Sequence, residues 1–91
     1  MAKSCIEFRV EGVVQGVGFR YFVLKAAAAL DLRGYVRNEY DGAVVGVAVG
    51  KEKDLQLFKQ HLKAGPSRSR VEKVVFANCD ISEIYSSFEI R

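Results

Sequence analysis

Histidine and cysteine are scarce in this chain of 91 residues. His61 is the only histidine, and the two cysteines, Cys5 and Cys79, lie 74 positions apart. No Cys-x-x-Cys pair is present, so a zinc site is excluded on ligand count. His61 falls in a helical pattern near Gln60 and Lys63. It reads as a surface or half-buried histidine, not as the base for a cysteine nucleophile. Long apolar runs are missing too. Tyr21–Leu30 is interrupted by Lys25 and falls short of the roughly 20 apolar residues that a membrane span needs. Met1–Glu7 holds no apolar leader core, which makes the cytoplasm the expected compartment. There is no internal repeat and no low-complexity segment beyond Ala26–Ala29, and no composition shift marks a domain boundary. Residues 1–91 are therefore expected to form a single domain.

Hydrophobic residues make up 49% of the chain, too many for a disordered segment. The net charge of +3 favours anionic ligands in general without selecting nucleic acid. Arg68 and Arg70 form the densest basic group and read as a solvated loop.

Apolar Ile6, Phe8 and Val10 alternate with charged Glu7, Arg9 and Glu11, the pattern of a half-buried strand over Cys5–Val10. Gly12–Arg20 holds three glycines in nine residues and reads as a loop. Tyr21–Arg33 is rich in Ala and Leu at helical spacing, with Gly34 as its expected C-terminal stop. Tyr35–Tyr40 and Ala43–Val49 read as strands joined by a two-residue hairpin at Asp41-Gly42. Leu55, Phe58 and Leu62 line one face of a second helix, Glu52–Lys63, ended by Gly65-Pro66. Val71–Cys79 is a fourth strand, and Ser87–Arg91 adds a short edge strand.

This order predicts an α+β fold, a ferredoxin-like βαββαβ sandwich. Its antiparallel sheet has order 4-1-3-2, with two helices on one face. In that topology strands 1 and 2 run parallel with strand 3 between them, about 10 Å apart. The loop leaving strand 1 then comes near Asn38 at the end of strand 2. Strands 1 and 4 become antiparallel neighbours, which brings Cys5 towards Cys79. A cytosolic setting favours free thiols there. The apolar stretch Val44–Val49 is expected to leave Val45, Val47 and Val49, or the alternate set, partly open to solvent.

The chemistry-bearing segment is Val14–Arg20. A glycine-rich loop feeding a helix start offers inward-pointing N–H groups and the positive end of a helix dipole. Arg20 adds a permanently charged fork matched to phosphate oxygens. Familiar nucleotide motifs fail: no loop glycine precedes a lysine, and Tyr21 stands where a dinucleotide fingerprint needs glycine. A cation in a first helical turn opposes the dipole unless an anion joins it. Taken alone, Asn38 reads as a polar strand residue near a turn.

Gly12, Val14, Gln15, Gly16, Val17, Phe19 and Arg20 together spell a string that closely resembles the first motif of the acylphosphatase family. Gly34-Tyr35-Val36-Arg37-Asn38, with Gly42 and Val44, matches the second. Many members carry tryptophan where this chain has Tyr35. The likeness covers the whole chain, including Gly65-Pro66, Val71 and the terminal Phe88-Glu89-Ile90-Arg91. It implies the ferredoxin-like fold and hydrolysis of acyl phosphates to carboxylate and phosphate, with no metal and no cofactor. It implies phosphate binding by Gln15, Gly16, Val17, Gly18, Phe19 and Arg20. Arg20 and Asn38 are the implied catalytic residues, with Asn38 orienting the attacking water and a phosphate oxygen of the substrate accepting its proton. Expected ligands are a small acyl phosphate as substrate and inorganic phosphate or sulfate as inhibitor. Nucleic acid and membrane are not expected partners, and the expected state is a monomer. The alternative is a non-enzymatic anion- or nucleic-acid-binding ferredoxin-like module. For nucleic acid, the chain lacks a clear pair of exposed strand aromatics. A related domain working inside a larger assembly is a further option.

Overall fold

The computed structural model describes residues 3–81 and 83–91. Of the segment read for a leader, Met1 and Ala2 lie outside the described residues. Seven elements follow one another: β1 (Ser4–Val13), α1 (Phe19–Ala29), β2 (Arg33–Asn38), β3 (Val44–Gly50), α2 (Glu52–Ala64), β4 (Arg70–Asn78) and β5 (Phe88–Ile90). They form a five-stranded sheet of order β4-β1-β3-β2-β5. The expected 4-1-3-2 order is present. β5 extends it, pairing with β2 in parallel while the other pairs are antiparallel.

The alternation in β1 sends Ile6, Phe8 and Val10 into the core with Val23 and Ala27 of α1 and Leu55, Phe58 and Leu62 of α2. Phe58 packs edge-on against Phe8 and Phe88, at 5.5 and 6.1 Å between ring centres. Burial of each such large side chain stabilises the fold by ~1.5–3 kcal/mol. The opposite sheet face is uncovered by helices, and Val45 and Val47 are half-buried on it while Val49 is buried.

Three local readings need correction. α1 ends at Ala29 instead of running to Arg33, and Gly34 is not its stop. Asp31 takes the left-handed conformation at φ 55°. Its N–H donates to Ala28 C=O and that of Leu32 to Ala27 C=O, at 3.1 and 2.9 Å. This is a Schellman closure built on aspartate. Gly34 lies inside β2, where a Cβ would collide with the Val47 carbonyl of β3. The β2–β3 connection is also longer than two residues. Gly42 N–H donates to Glu39 C=O at 3.2 Å, inside a second bond from Glu39 N–H to Ala43 C=O at 2.7 Å. Finally, Cys5 and Cys79 are joined in a disulfide with Cα atoms 5.2 Å apart, so the expected free thiols give way to a bridge. The antiparallel β1–β4 pairing that brings them together is as expected.

Candidate active site

The loop between β1 and α1 is held by what flanks its glycines. Val14 and Phe19 at its two ends are each 1% exposed, and Val17 packs against the core. Gly16 and Gly18 are left on the outside, with φ 73° and 77°. A Cβ at either would meet nothing within 4 Å, so glycine is required there by backbone conformation and not by crowding. Gly65, between α2 and β4, packs beneath the loop: a Cβ on it would press on the Phe19 ring.

Gln15 ties this loop to the β2–β3 turn. Its Nε2 donates to the carbonyls of Glu39 at 2.7 Å and Ala43 at 3.0 Å. Both side-chain amide protons are therefore committed within the protein, which leaves only its backbone N–H to donate to an anion. This bracing role was missed in the sequence. Both carbonyls also accept a backbone N–H within the turn, and the partners lie 24 and 28 residues away, so nothing local in the sequence announces the brace.

Register places Asn38 directly. Val10 of β1 pairs with Val44 of β3, and Val44 pairs with Asn38. Asn38 thus sits two strand spacings from β1, about 10 Å, level with the end of β1 from which the loop departs. Its Oδ1 is buried and accepts no hydrogen bond among the described residues. Leaving such an acceptor unmatched costs about 1–3 kcal/mol.

α1 starts at a left-handed Gly18 with no side-chain cap and no acidic residue in its first turn. Its leading N–H groups therefore lack the usual internal acceptor. Arg20 occupies that turn. Arg9, Arg37 and Arg91 join ion pairs, whereas Arg20, like Arg33, Arg68 and Arg70, joins none among the described residues. A cavity of about 190 Å³ opens here, lined by Val14, Gly16, Gly18, Phe19, Arg20, Tyr21, Asn38 and Ile90. Of the residues expected at the site, the cavity thus unites Gly16, Gly18, Phe19, Arg20 and Asn38. The side chains of Gln15 and Val17 are engaged elsewhere. Tyr21 and Ile90 are additions.

A larger hollow of about 380 Å³ lies on the open sheet face. It is ill suited to an anion, because its cations are already matched. Arg9 pairs with Glu11 at 2.8 Å and with Asp41, and Arg37 pairs with Glu39 at 2.8 Å. The Arg9 guanidinium, then the Ala43 N–H, holds the Asp41 carboxyl below its ordinary pKa. The hollow is no base-stacking platform either. Phe8 is buried, and the Tyr35 ring is covered by the Arg91 guanidinium at 4.3 Å. Among the described residues no group of three or more His, Cys, Asp or Glu converges as metal ligands. No helix among them is long and apolar enough to cross a membrane.

A small α+β sandwich thus brings a helix start without an acid, a glycine loop, an arginine and an asparagine to one cavity, an arrangement with the chemistry to receive an anion. The family model described as Acylphosphatase matches residues 6–90. The chain is 52% identical over 67 residues to an acylphosphatase of Moorella thermoacetica, covering 74% of this chain and 72% of that one. It is 45% identical over 85 residues to an acylphosphatase of Archaeoglobus fulgidus, covering 93% and 94%. The solved acylphosphatase of Bacillus subtilis superposes with a TM-score of 0.93 at 38% identity, covering 97% of this chain and 98% of that one. The chain belongs to the acylphosphatase family.

Proposed function

We propose that residues 1–91 act as one acylphosphatase domain, a monomer that hydrolyses acyl phosphates to carboxylate and inorganic phosphate. The observation that carries this reading is the meeting of Arg20, Asn38 and the exposed glycine backbone on one cavity. An acyl phosphate is a mixed anhydride whose leaving carboxylate is stable without a proton, so no strong general acid is required. Phosphoryl transfer then depends mainly on positioning and charge stabilisation. The backbone N–H groups from Gln15 to Arg20 and the Arg20 guanidinium receive the phosphoryl oxygens, aided by the positive end of α1. The Asn38 carboxamide holds the attacking water, its Oδ1 being an acceptor with no other partner among the described residues. Asparagine is too weak a base to keep the proton, which passes to a phosphoryl oxygen. Inorganic phosphate and sulfate, sharing the oxygen arrangement of the substrate, are competitive inhibitors.

The cytoplasm is the proposed compartment. The Cys5–Cys79 bridge stands against it, since reducing compartments keep thiols free. Trapping the redox state of the two cysteines in cells decides between them.

Turnover of a simple aryl acyl phosphate tests the activity, and Asn38→Ala tests the mechanism. The variant is expected to lose on the order of 10² in kcat, as for a misplaced reactant, while the Ki for phosphate stays within about twofold. Near-native kcat would remove Asn38 as the water-holding group. Loss of phosphate affinity would move it into the anion cradle.

A further inference from the structure

Two side chains on the cavity are left without a task once phosphoryl group and water have been placed. Val14 and Phe19 are buried and serve the core. Tyr21 and Ile90 are different: they line the same cavity but are 61% and 40% exposed. Tyr21 directly follows Arg20 in the first turn of α1. Ile90 reaches the cavity from β5, through its pairing with Val36 two residues before Asn38. The aromatic ring of Tyr21 has the Lys25 ammonium over it at 5.6 Å, one helical turn on. This interaction holds the ring without removing it from solvent. Neither the ring nor the sec-butyl side chain of Ile90 gains anything from a phosphate. Both gain from covering apolar surface.

We infer, on the basis of the hydrolase reading above, that Tyr21 and Ile90 form the acyl-group subsite. They bias the enzyme towards substrates whose acyl portion is aromatic or a bulky hydrocarbon, over acetyl. The phosphoryl group anchors on the loop and Arg20. The acyl chain then projects from the cavity mouth, where these two side chains are the remaining walls. A flat acyl ring can lie against Tyr21 in an offset or edge-on arrangement. A methyl group is too small to reach both walls. The subsite makes no hydrogen bond to the acyl group, so discrimination rests on covered area and is modest.

The test compares kcat/KM for benzoyl phosphate and acetyl phosphate in the wild type and in Tyr21→Ala, Ile90→Ala and Tyr21→Phe. The benzoyl-to-acetyl ratio cancels any damage that a substitution does to the shared phosphate cradle. Tyr21→Ala is expected to lower this ratio by about five- to tenfold, and Ile90→Ala by about two- to threefold, from the apolar area removed. Tyr21→Phe keeps the ring and is expected to keep the wild-type ratio. A ratio unmoved by both alanine variants in an active enzyme overturns the subsite. A ratio lowered equally by Tyr21→Phe assigns the effect to the hydroxyl and overturns the apolar basis. A wild type that turns over neither acyl phosphate sinks the hydrolase reading itself, and the subsite with it.

Discussion

The two helices begin in opposite ways. α2 carries Glu52 and Asp54 in its first turn and His61 and Lys63 in its last, the charge distribution that its dipole favours. α1 has a left-handed glycine as N-cap, no acidic residue in its first turn and Arg20 there instead. Both helices bury one apolar face on the same sheet, so the difference is not one of packing. Neither helix has a side-chain cap, but the acids of α2 complement the dipole at its start. α1 forgoes a few tenths of a kcal/mol to about 1 kcal/mol of dipole stabilisation, and leaves its N–H groups for a guest. A helix start whose first turn carries arginine and no acid, opening on a cavity, is thus a better marker of this site than cavity size, which would have selected the open sheet face.

The contrast can be broken most severely at Arg20. Arg20→Ala is expected to cost about 10²–10³ in kcat/KM, the loss of a preorganised charge-stabilising donor. It should weaken phosphate inhibition as well, because the phosphoryl group is charged before and during reaction. Arg20→Lys should recover only part, since an ammonium lacks the planar fork. Steady-state kinetics with a phosphate Ki for each variant check this, and an active Arg20→Ala enzyme would end the assignment.

A smaller effect comes from giving α1 the acid it lacks. In Gly18→Asp the new Cβ meets no neighbour, and aspartate tolerates φ near 77° better than most residues. The cost of that conformation, about 1 kcal/mol, is roughly offset by the favourable placement of a carboxylate. Stability to urea should therefore move little, whereas phosphate Ki should rise about tenfold through like-charge repulsion. An unchanged Ki would place the anion away from the helix start.

The mildest change sharpens the comparison from the other side. Asp54→Asn removes an acid from the α2 start and should lower unfolding free energy by about 0.3–1 kcal/mol, with kcat and phosphate Ki unaltered. Chemical denaturation and kinetics on the same preparation check both halves.

The strands, their order, Arg20 and Asn38 could be read from the chain because each has a local signature: alternation in β1, glycines around the loop, and the motif that carries Arg20 and Asn38. The misreadings share another cause. Gly34 looks like a helix stop by position, yet it is needed because a β3 carbonyl approaches its Cα. That freed Asp31 to take the turn. Gln15 lies within the string, and its backbone N–H stays available to the cradle, but its side-chain amide finds two carbonyls 24 and 28 residues away, a partnership that no local signal announces. The approach of Cys5 to Cys79, by contrast, was legible from the β1–β4 pairing, and only the expected reducing compartment argued for free thiols. Local chemistry announces a residue's conformational preference, whereas its partner across the sheet is set by tertiary packing.

The disulfide has a mechanical consequence. Nearly the whole sheet lies between Cys5 and Cys79, and β5 alone lies beyond them. If the molecule is held at Ser4 and Arg91 and stretched, tension in the oxidised form runs through the bridge and bypasses β1 to β4. At ~3.3–3.6 Å per residue, the tail after Cys79 that carries the load can extend to only about 40–43 Å, where the reduced chain could extend to about 300 Å. The first element to feel the force is β5, which carries Ile90. The oxidised protein would thus yield at the wall of the cavity while the strands that hold Asn38 and the loop stay shielded from the load.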